Sequence, residues 1–352
     1  MSDIYYEKYL KYKLKYINLV NKKKLLGGTI QDPLDPPSQS TDARSPVELK
    51  RDFILLIDQN LKKNEAIPKI NPTYLRLATY NIHYFTDVSD TKNTYGNILS
   101  DIQNIDADVI ILQEILIGGN DIIINPSITL NLSNLYSDLT SIGYKKKIFC
   151  NSTMSWYQAA YGNMMLINDR ISTKCASELC NEFNELNYTF DKAVTTTTVS
   201  GSHQGTAETR CYIYINIINN GITYHIIGTH LDVASEATRL EQITKIITKY
   251  NSLRDVPNNI IIIMGDFNTF NMEDYKQTEF ETSKYTRENG LVYNYLKGLG
   301  YFDLTSTSTP LVTAWGMTRV DLIFSSHSVN FDPHIYYTKA SDHLPVIVDI
   351  KS

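Results

Sequence analysis

Ile260–Asn268 reads I-I-I-I-M-G-D-F-N, and Ser341–Ile350 reads S-D-H-L-P-V-I-V-D-I. Each is a short apolar run with a carboxylate and a second polar side chain at one tip. Four other runs share the habit: Leu75–Asn81 (L-R-L-A-T-Y-N), Asp108–Glu114 (D-V-I-I-L-Q-E), His225–His230 (H-I-I-G-T-H) and Arg319–Phe324 (R-V-D-L-I-F). Short apolar runs of this length read as buried strands. Strands are rigid, and their ends are where a scaffold holds polar groups that must converge.

Direction follows from where the polar residue falls. Asn81, Glu114, His230 and Asp266 come after their runs, whereas Asp321 and Asp342–His343 come before theirs. For all six tips to share one rim, the last two strands must run antiparallel to some of the others, so the sheets are mixed. A doubly wound dinucleotide fold is not indicated, because Gly27–Gly28 and Gly118–Gly119 lack the G-x-G-x-x-G spacing.

Composition narrows the class. The chain has 352 residues and a formal net charge of −5, yet residues 1–24 hold seven lysines against Asp3 and Glu7. The body is therefore acidic, which argues against broad non-specific nucleic-acid binding through basic surface. No run approaches the ~20 apolar residues of a membrane span. The opening segment lacks the charged-then-apolar pattern of a signal peptide. Four cysteines, Cys150, Cys175, Cys180 and Cys211, show no C-x-x-C spacing and read as reduced. The expected location is the cytoplasm, or a host cell or virion, and not the exterior.

Along the chain, Tyr5, Tyr9, Tyr12, Tyr16 and Leu19 recur at helical spacing among lysines, so residues 1–28 read as a basic helical tail. Such a tail suits a membrane surface or a partner protein, or is a solvated appendage. Its Tyr/Lys rhythm resembles the opening segments of giant DNA virus proteins. Residues 29–46 are rich in Pro, Ser, Asp and Gln and read as a flexible linker. Residues 47–72 hold a short amphipathic helix and a connection, packed or free, and 73–352 form the main domain. Helices are expected over Asn97–Ile105 and Glu236–Tyr250. The stretches Gly118–Asn134 and Cys175–Ser202 read as long loops facing a substrate.

From about Leu75 to Ile350 the chain resembles the endonuclease/exonuclease/phosphatase superfamily, which includes DNase I-like nucleases, tyrosyl-DNA phosphodiesterases, sphingomyelinases and inositol polyphosphate phosphatases. The resemblance rests on T-Y-N-I at Thr79–Ile82, L-Q-E at Leu112–Glu114, T-H-L at Thr229–Leu231, G-D-F-N at Gly265–Asn268, R-V-D at Arg319–Asp321 and S-D-H at Ser341–His343. G-D-x-N followed by S-D-H-x-P carries most of the specificity. The resemblance implies an α/β four-layer sandwich, two packed mixed sheets flanked by helices.

The residue types at the tips suit hydrolysis of a phosphate ester. Charge building on the phosphoryl oxygens and a poor alkoxide leaving group call for a divalent cation. Mg²⁺, or Mn²⁺ in its place, takes oxygen ligands and needs one or two carboxylates. Glu114 is the expected principal ligand, with Asn81 and Asp342 beside it. Asp266 is placed to hold and deprotonate the attacking water, and Asn268 to donate an amide hydrogen bond. His230 and His343 are placed to donate to phosphoryl oxygens or to the leaving group. Asp321 is expected to orient His343, which resembles the family's Asp–His pairing.

Other residues weigh less. Asn163, in Y-G-N-M-M-L, and Arg210, at the start of C-Y-I-Y-I, are candidate substrate contacts. Gln113 and Asp232 read as structural, and Arg319 as a phosphate ligand or a salt bridge. His83, His203, His225, His327 and His334 fit no motif and read as structural or solvated. The resulting expectation is a metal-dependent phosphodiester hydrolase, a nuclease or nucleic-acid end-processing enzyme. A phosphatase or phospholipid hydrolase of the same fold, and an inactive scaffold, are the alternatives. The inositol phosphatase pattern fits less well, since Met264 precedes G-D-F-N and the Trp315 block keeps only R-V-D.

Overall fold

A computed structural model describes residues 45–118, 121–156, 159–171, 186–189, 210–233, 236–274, 290–309 and 311–351. Contacts divide the chain into Met1–Ala43 and Arg44–Ser352. The basic tail over 1–28, the linker up to residue 44, and nearly all of 175–202 lie outside the described residues.

Two six-stranded sheets form the second unit. The first contains β1 (Leu75–Asn81), β2 (Val109–Ile117), β5 (Lys146–Trp156), β6 (Ala159–Ile167), β13 (Asn330–Ile335) and β14 (Val346–Lys351), in the order β13-β14-β1-β2-β6-β5. The second contains β7 (Leu186–Thr189), β8 (Cys211–Asn219), β9 (Ile222–His230), β10 (Asn259–Asp266), β11 (Phe302–Asp303) and β12 (Asp321–Ser325), in the order β11-β12-β10-β9-β8-β7. β1 runs parallel to β2, and β9 to β10, while β14 is antiparallel to β1 and β12 to β10. This is the mixed arrangement that the position of the polar tips requires.

Period-two alternation builds the layers. On β10, Ile260, Ile262 and Met264 meet Leu77, Ile111 and Met165 of the first sheet, while Ile261 and Ile263 face the opposite way. With both faces buried, the strand reads as an uninterrupted apolar run. Helices α2 (Tyr95–Ile105) and α3 (Leu135–Ser141) cover the outer face of the first sheet with Ile98, Ile102, Leu135 and Leu139. Helices α4 (Glu236–Tyr250) and α5 (Leu291–Gly298) cover the second with Ile243, Ile246, Val292 and Leu296. The four-layer α/β sandwich follows.

Helix α1 (Pro46–Asn60) packs on this domain. Ser45 caps it, accepting from the Glu48 N–H, while Glu48 takes the Ser45 N–H at 2.8 Å. Pro46 occupies the first turn, where its missing N–H does no harm. The helix buries Phe53 and Ile57 against Val88, Ile335, Leu344 and Val346.

Three local expectations change. The final strand starts at Val346 and not directly after the Asp342–His343 tip, because Pro345 has no N–H for a ladder and leaves 341–345 as a loop. Much of the 118–134 stretch is not a loop: β3 (Ile122–Asn125) pairs with β4 (Ile128–Leu130), and Ile122, Ile128 and Leu130 join the core. Cys150 and Cys211 are paired as a disulfide between β5 and β8, with Cα atoms 6.2 Å apart, instead of standing as separate thiols. Cys175 and Cys180 lie outside the described residues.

Candidate active site

The site is assembled from two strand rims. Asn81 ends β1, and its amide NH₂ lies 3.0 Å from Glu114 Oε1 and 3.1 Å from Asp266 Oδ2. One side chain thus braces a carboxylate from each sheet. Its own carbonyl oxygen accepts the His83 N–H at 3.1 Å.

Glu114 reaches this point through a bulge. The β2–β6 register slips between Leu112 and Ile115, and Glu114 has a φ of +57°. A bulge re-aims a side chain that a regular strand would direct elsewhere. Asn268 sits beyond β10 with a φ of +49°. Strained non-glycine backbone of this kind gathers at functional sites. Gly265 has a φ of +151°, and a Cβ there would lie 1.9 Å from the Thr229 carbonyl oxygen. The glycine of G-D-F-N lets β10 lie against β9 just before the site.

Asp266 and Asp321 face each other across the β10–β12 pair, and His230 is the β9 neighbour of Asp266. His343 Nδ1 donates to Asp321 Oδ2 at 2.9 Å, and its Nε2 lies 3.8 Å from Asp266 Oδ2. His230 Nε2 lies 3.5 Å from the same oxygen. On the far side of His230, Arg210 Nη1 stands 3.0 Å from Nδ1. A guanidinium can only donate, so Nδ1 is the acceptor and the ring proton sits on Nε2.

These neighbours set the charges. Burial and the Arg210 guanidinium push His230 down to about 3, so it is neutral. Burial also opposes charge on His343, but Asp321 and Asp266 overcome it and push His343 up to about 10. Burial raises Asp321 to about 6 against the pull of His343. Near neutral pH these two form an ion pair. Burial works against charge on Asp266 as well, yet His230, His343 and the Asn268 N–H at 2.8 Å hold its carboxyl below the usual range. Glu114 is raised by burial, with Asp342 adding repulsion and His83 opposing it.

The remaining candidates fall in different places. The Asn268 amide donates to the Leu231 carbonyl at 3.1 Å and so holds the segment just after His230. Asn163 donates to the Cys211 carbonyl at 3.0 Å, between the sheets, and no hydrogen bond joins it to the acidic cluster among the described residues. Gln113 donates to Thr79 Oγ1 at 3.0 Å. Arg239 and Gln242 of α4 hold the Asp232 backbone. Arg319 is buried in ion pairs with Asp274 and Asp303.

His83, read as structural or solvated, lies beside this cluster. His83 Nδ1 lies 3.6 Å from Asp342 Oδ1, and Nε2 lies 3.5 Å from Asp90 Oδ1. The signal was its position two residues after Asn81, but no apolar alternation continues past β1 to mark it.

The donor set fits a hard divalent cation. Glu114 and Asp342 are oxygen donors close enough to repel, and the Asn81 brace leaves Glu114 Oε2 without a hydrogen-bond partner among the described residues. Asp266, Asp321 and His343 also offer ligand atoms within 4.8 Å of one another. In that second set, however, His343 Nδ1 is already committed to Asp321.

Residues 78–343 match the Endonuclease/Exonuclease/phosphatase family, and the chain belongs to it. Its members hydrolyse phosphoric esters with a divalent metal. The chain resembles an endonuclease/exonuclease/phosphatase from Beutenbergia cavernae DSM 12333 at 16% identity and TM-score 0.53, covering 79% of this chain and 72% of that one. It also resembles an endonuclease/exonuclease/phosphatase family protein from Leptotrichia buccalis C-1013-b at 18% and 0.52, covering 79% and 100%. The human Nocturnin catalytic domain with bound sulfate anion aligns at 16% and 0.51, covering 80% and 96%. These likenesses support the fold. No curated protein matches the chain.

Proposed function

We propose that the protein is a Mg²⁺- or Mn²⁺-dependent phosphodiesterase acting on nucleic acid, as a nuclease or end-processing enzyme. One observation carries the reading: the Asn81 amide joins Glu114 to Asp266 while the charged His343–Asp321 pair closes the other side. Glu114 and Asp342 would hold the cation, which supplies Lewis-acid stabilisation of phosphoryl and leaving-group charge. Asp266, kept ionised, orients a water and takes its proton. His343 is cationic and donates from Nε2 to a non-bridging oxygen or to the leaving oxygen. His230 is neutral and donates from the same nitrogen type, with Arg210 fixing its tautomer. Asn268 keeps His230 in place.

The charge count favours a diester. Beside the cation, the site offers one guanidinium, held behind His230, and one charged imidazole. That suits the single negative charge of a phosphodiester better than the two charges of a monoester. The test is hydrolysis of bis(p-nitrophenyl) phosphate, plasmid DNA, single-stranded RNA and 5′-tyrosyl DNA, with p-nitrophenyl phosphate, sphingomyelin and inositol phosphates as controls. Turnover of diesters that depends on Mg²⁺ or Mn²⁺ and stops with EDTA is expected. Asp266→Asn should lower that rate about 10²–10⁴-fold. Turnover of sphingomyelin or monoesters alone would move the reading to a phospholipid phosphodiesterase or a phosphatase, and no turnover on any of them would favour a scaffold.

A further inference from the structure

The turn after β1 is built at an energetic cost. His83, Tyr84 and Phe85 have φ values of +44°, +39° and +65°, three consecutive non-glycine residues in the left-handed region. Such a run persists only where its surroundings over-determine it. Here the Phe85 N–H donates to the Ile82 carbonyl, the Thr86 N–H to the His83 carbonyl, and the Thr94 N–H to the Phe85 carbonyl. The result is a buried His83 ring with Thr86 Oγ1 3.1 Å from Nδ1.

Asp90 stands behind that ring. Its Oδ1 accepts from Thr86 Oγ1 at 3.1 Å and from Tyr84 Oη at 3.3 Å, and lies 3.5 Å from His83 Nε2. Its backbone is itself tied down, since Asn125 of β3 donates to the Asp90 carbonyl at 3.0 Å. On the opposite side of the ring, His83 Nδ1 faces Asp342 Oδ1 at 3.6 Å. From outside, Lys50 of α1 lies 3.6 Å from Asp90 Oδ2 and 5.4 Å above the Trp315 ring. The Trp315 N–H in turn donates to the Asp342 carbonyl at 2.9 Å. Helix α1 precedes the residues that match the family.

We infer that Asp90 and His83 are a positioning pair for the Asp342 carboxylate, fastened from outside by Lys50 of α1. The inference rests on the reading of Glu114 and Asp342 as the cation seat. Both ring nitrogens of His83 are engaged by protein groups, so the ring steadies Asp342 rather than touching substrate. Partners that orient a metal ligand are typically worth 10–100-fold in affinity or activity. Lys50 acts one step further out through an exposed pair, where contributions are small.

The test titrates Mn²⁺ into the intact protein and follows free Mn²⁺ by electron paramagnetic resonance, with a thermal melt on each variant. His83→Gln keeps a polar side chain, and Asp90→Asn keeps an acceptor for Tyr84 and Thr86 while removing the charge. Each should raise the Mn²⁺ dissociation constant about 10-fold with melting unchanged. Lys50→Met should raise it about 2–3-fold, and Lys50→Arg should restore it. If His83→Gln fails to fold, Asp90→Asn and Lys50→Met carry the decision. Wild-type affinity in the folded variants, or a loss of melting temperature with unchanged affinity, overturns the positioning pair alone. A wild-type protein that binds no Mn²⁺ overturns the cation seat and the proposed function with it.

Discussion

Two imidazoles in one pocket take opposite charge states because of what stands behind each. Asp321 backs His343 and keeps it protonated, while Arg210 backs His230 and keeps it neutral. The S-D-H and R-V-D motifs made the first pair legible in sequence. The second was not, since Arg210 reads as a candidate substrate contact and no motif joins it to His230. The place of His83 beside Asp342 was not legible because it depends on a left-handed turn that residue types alone do not announce. A different buried acid offers a pH test. Asp101 of α2 accepts from Tyr80 Oη at 3.2 Å, next to Asn81, and burial raises it to about 7 despite its hydrogen bonds to Thr338 and Tyr80. The folded protein therefore holds the Asp101 proton more tightly than the unfolded chain does. That stabilisation is complete at low pH and is lost as pH rises from about 4 through about 7. In Asp101→Asn, that part of the decline in urea-derived stability should disappear. A variant whose stability falls as steeply as the wild type over this window would show that Asp101 ionises freely.

Strand direction was the most legible property of the elements. A polar tip placed before or after its apolar run separated β12 and the last strand from β1, β2, β9 and β10. The hairpin of β3 and β4 was not recognised, although Asn125–Pro126 between two Ile-rich runs is a turn signal. Its isoleucines were read as an insertion rather than as core. The bulge at Glu114 was also invisible, because a strand that slips register has the same composition as one that does not. At this scale the glycine before Asp266 gives a sharp expectation. Any side chain there collides with the Thr229 carbonyl and must also adopt a φ of +151°. Gly265→Ala should destabilise the fold by roughly 3–4 kcal/mol, read as a lower urea midpoint with an unchanged slope. A loss below about 1 kcal/mol would mean that β9 and β10 separate easily at this point.

At the largest scale, the described part of the second unit packs two sheets face to face, and close approaches between them are built for that. At Gly228 a Cβ would lie 2.6 Å from Ile111 Cδ1 and 2.9 Å from Met165 Cε of the opposite sheet. The Cys150–Cys211 pair joins the same two layers across 61 positions of sequence. Pairing over that separation could not be read from cysteine spacing, so the thiols were expected to be separate. Peptide mapping without reductant should recover the 150 and 211 peptides linked. Reduction should lower the melting temperature, because closing a loop of this length stabilises by about 4 kcal/mol in the chain-entropy picture. Free alkylation of both thiols in the folded, unreduced protein would remove the cross-link. No described helix is long and apolar enough to cross a membrane.

Ownership of the proposed catalytic groups is divided: Asn81, Glu114 and His343 travel with one layer, His230, Asp266 and Asp321 with the other. A slip of about 1 Å between layers would misalign the groups while leaving every helix and most ladders intact, and displacements of that size can cost about 100-fold in rate. Mild denaturant should therefore abolish turnover by the reduced protein before its circular dichroism changes, and the oxidised Cys150–Cys211 pair, which joins the layers, should bring the two midpoints together. Coincident loss of turnover and ellipticity in the reduced protein would mean that the layers part only when everything melts.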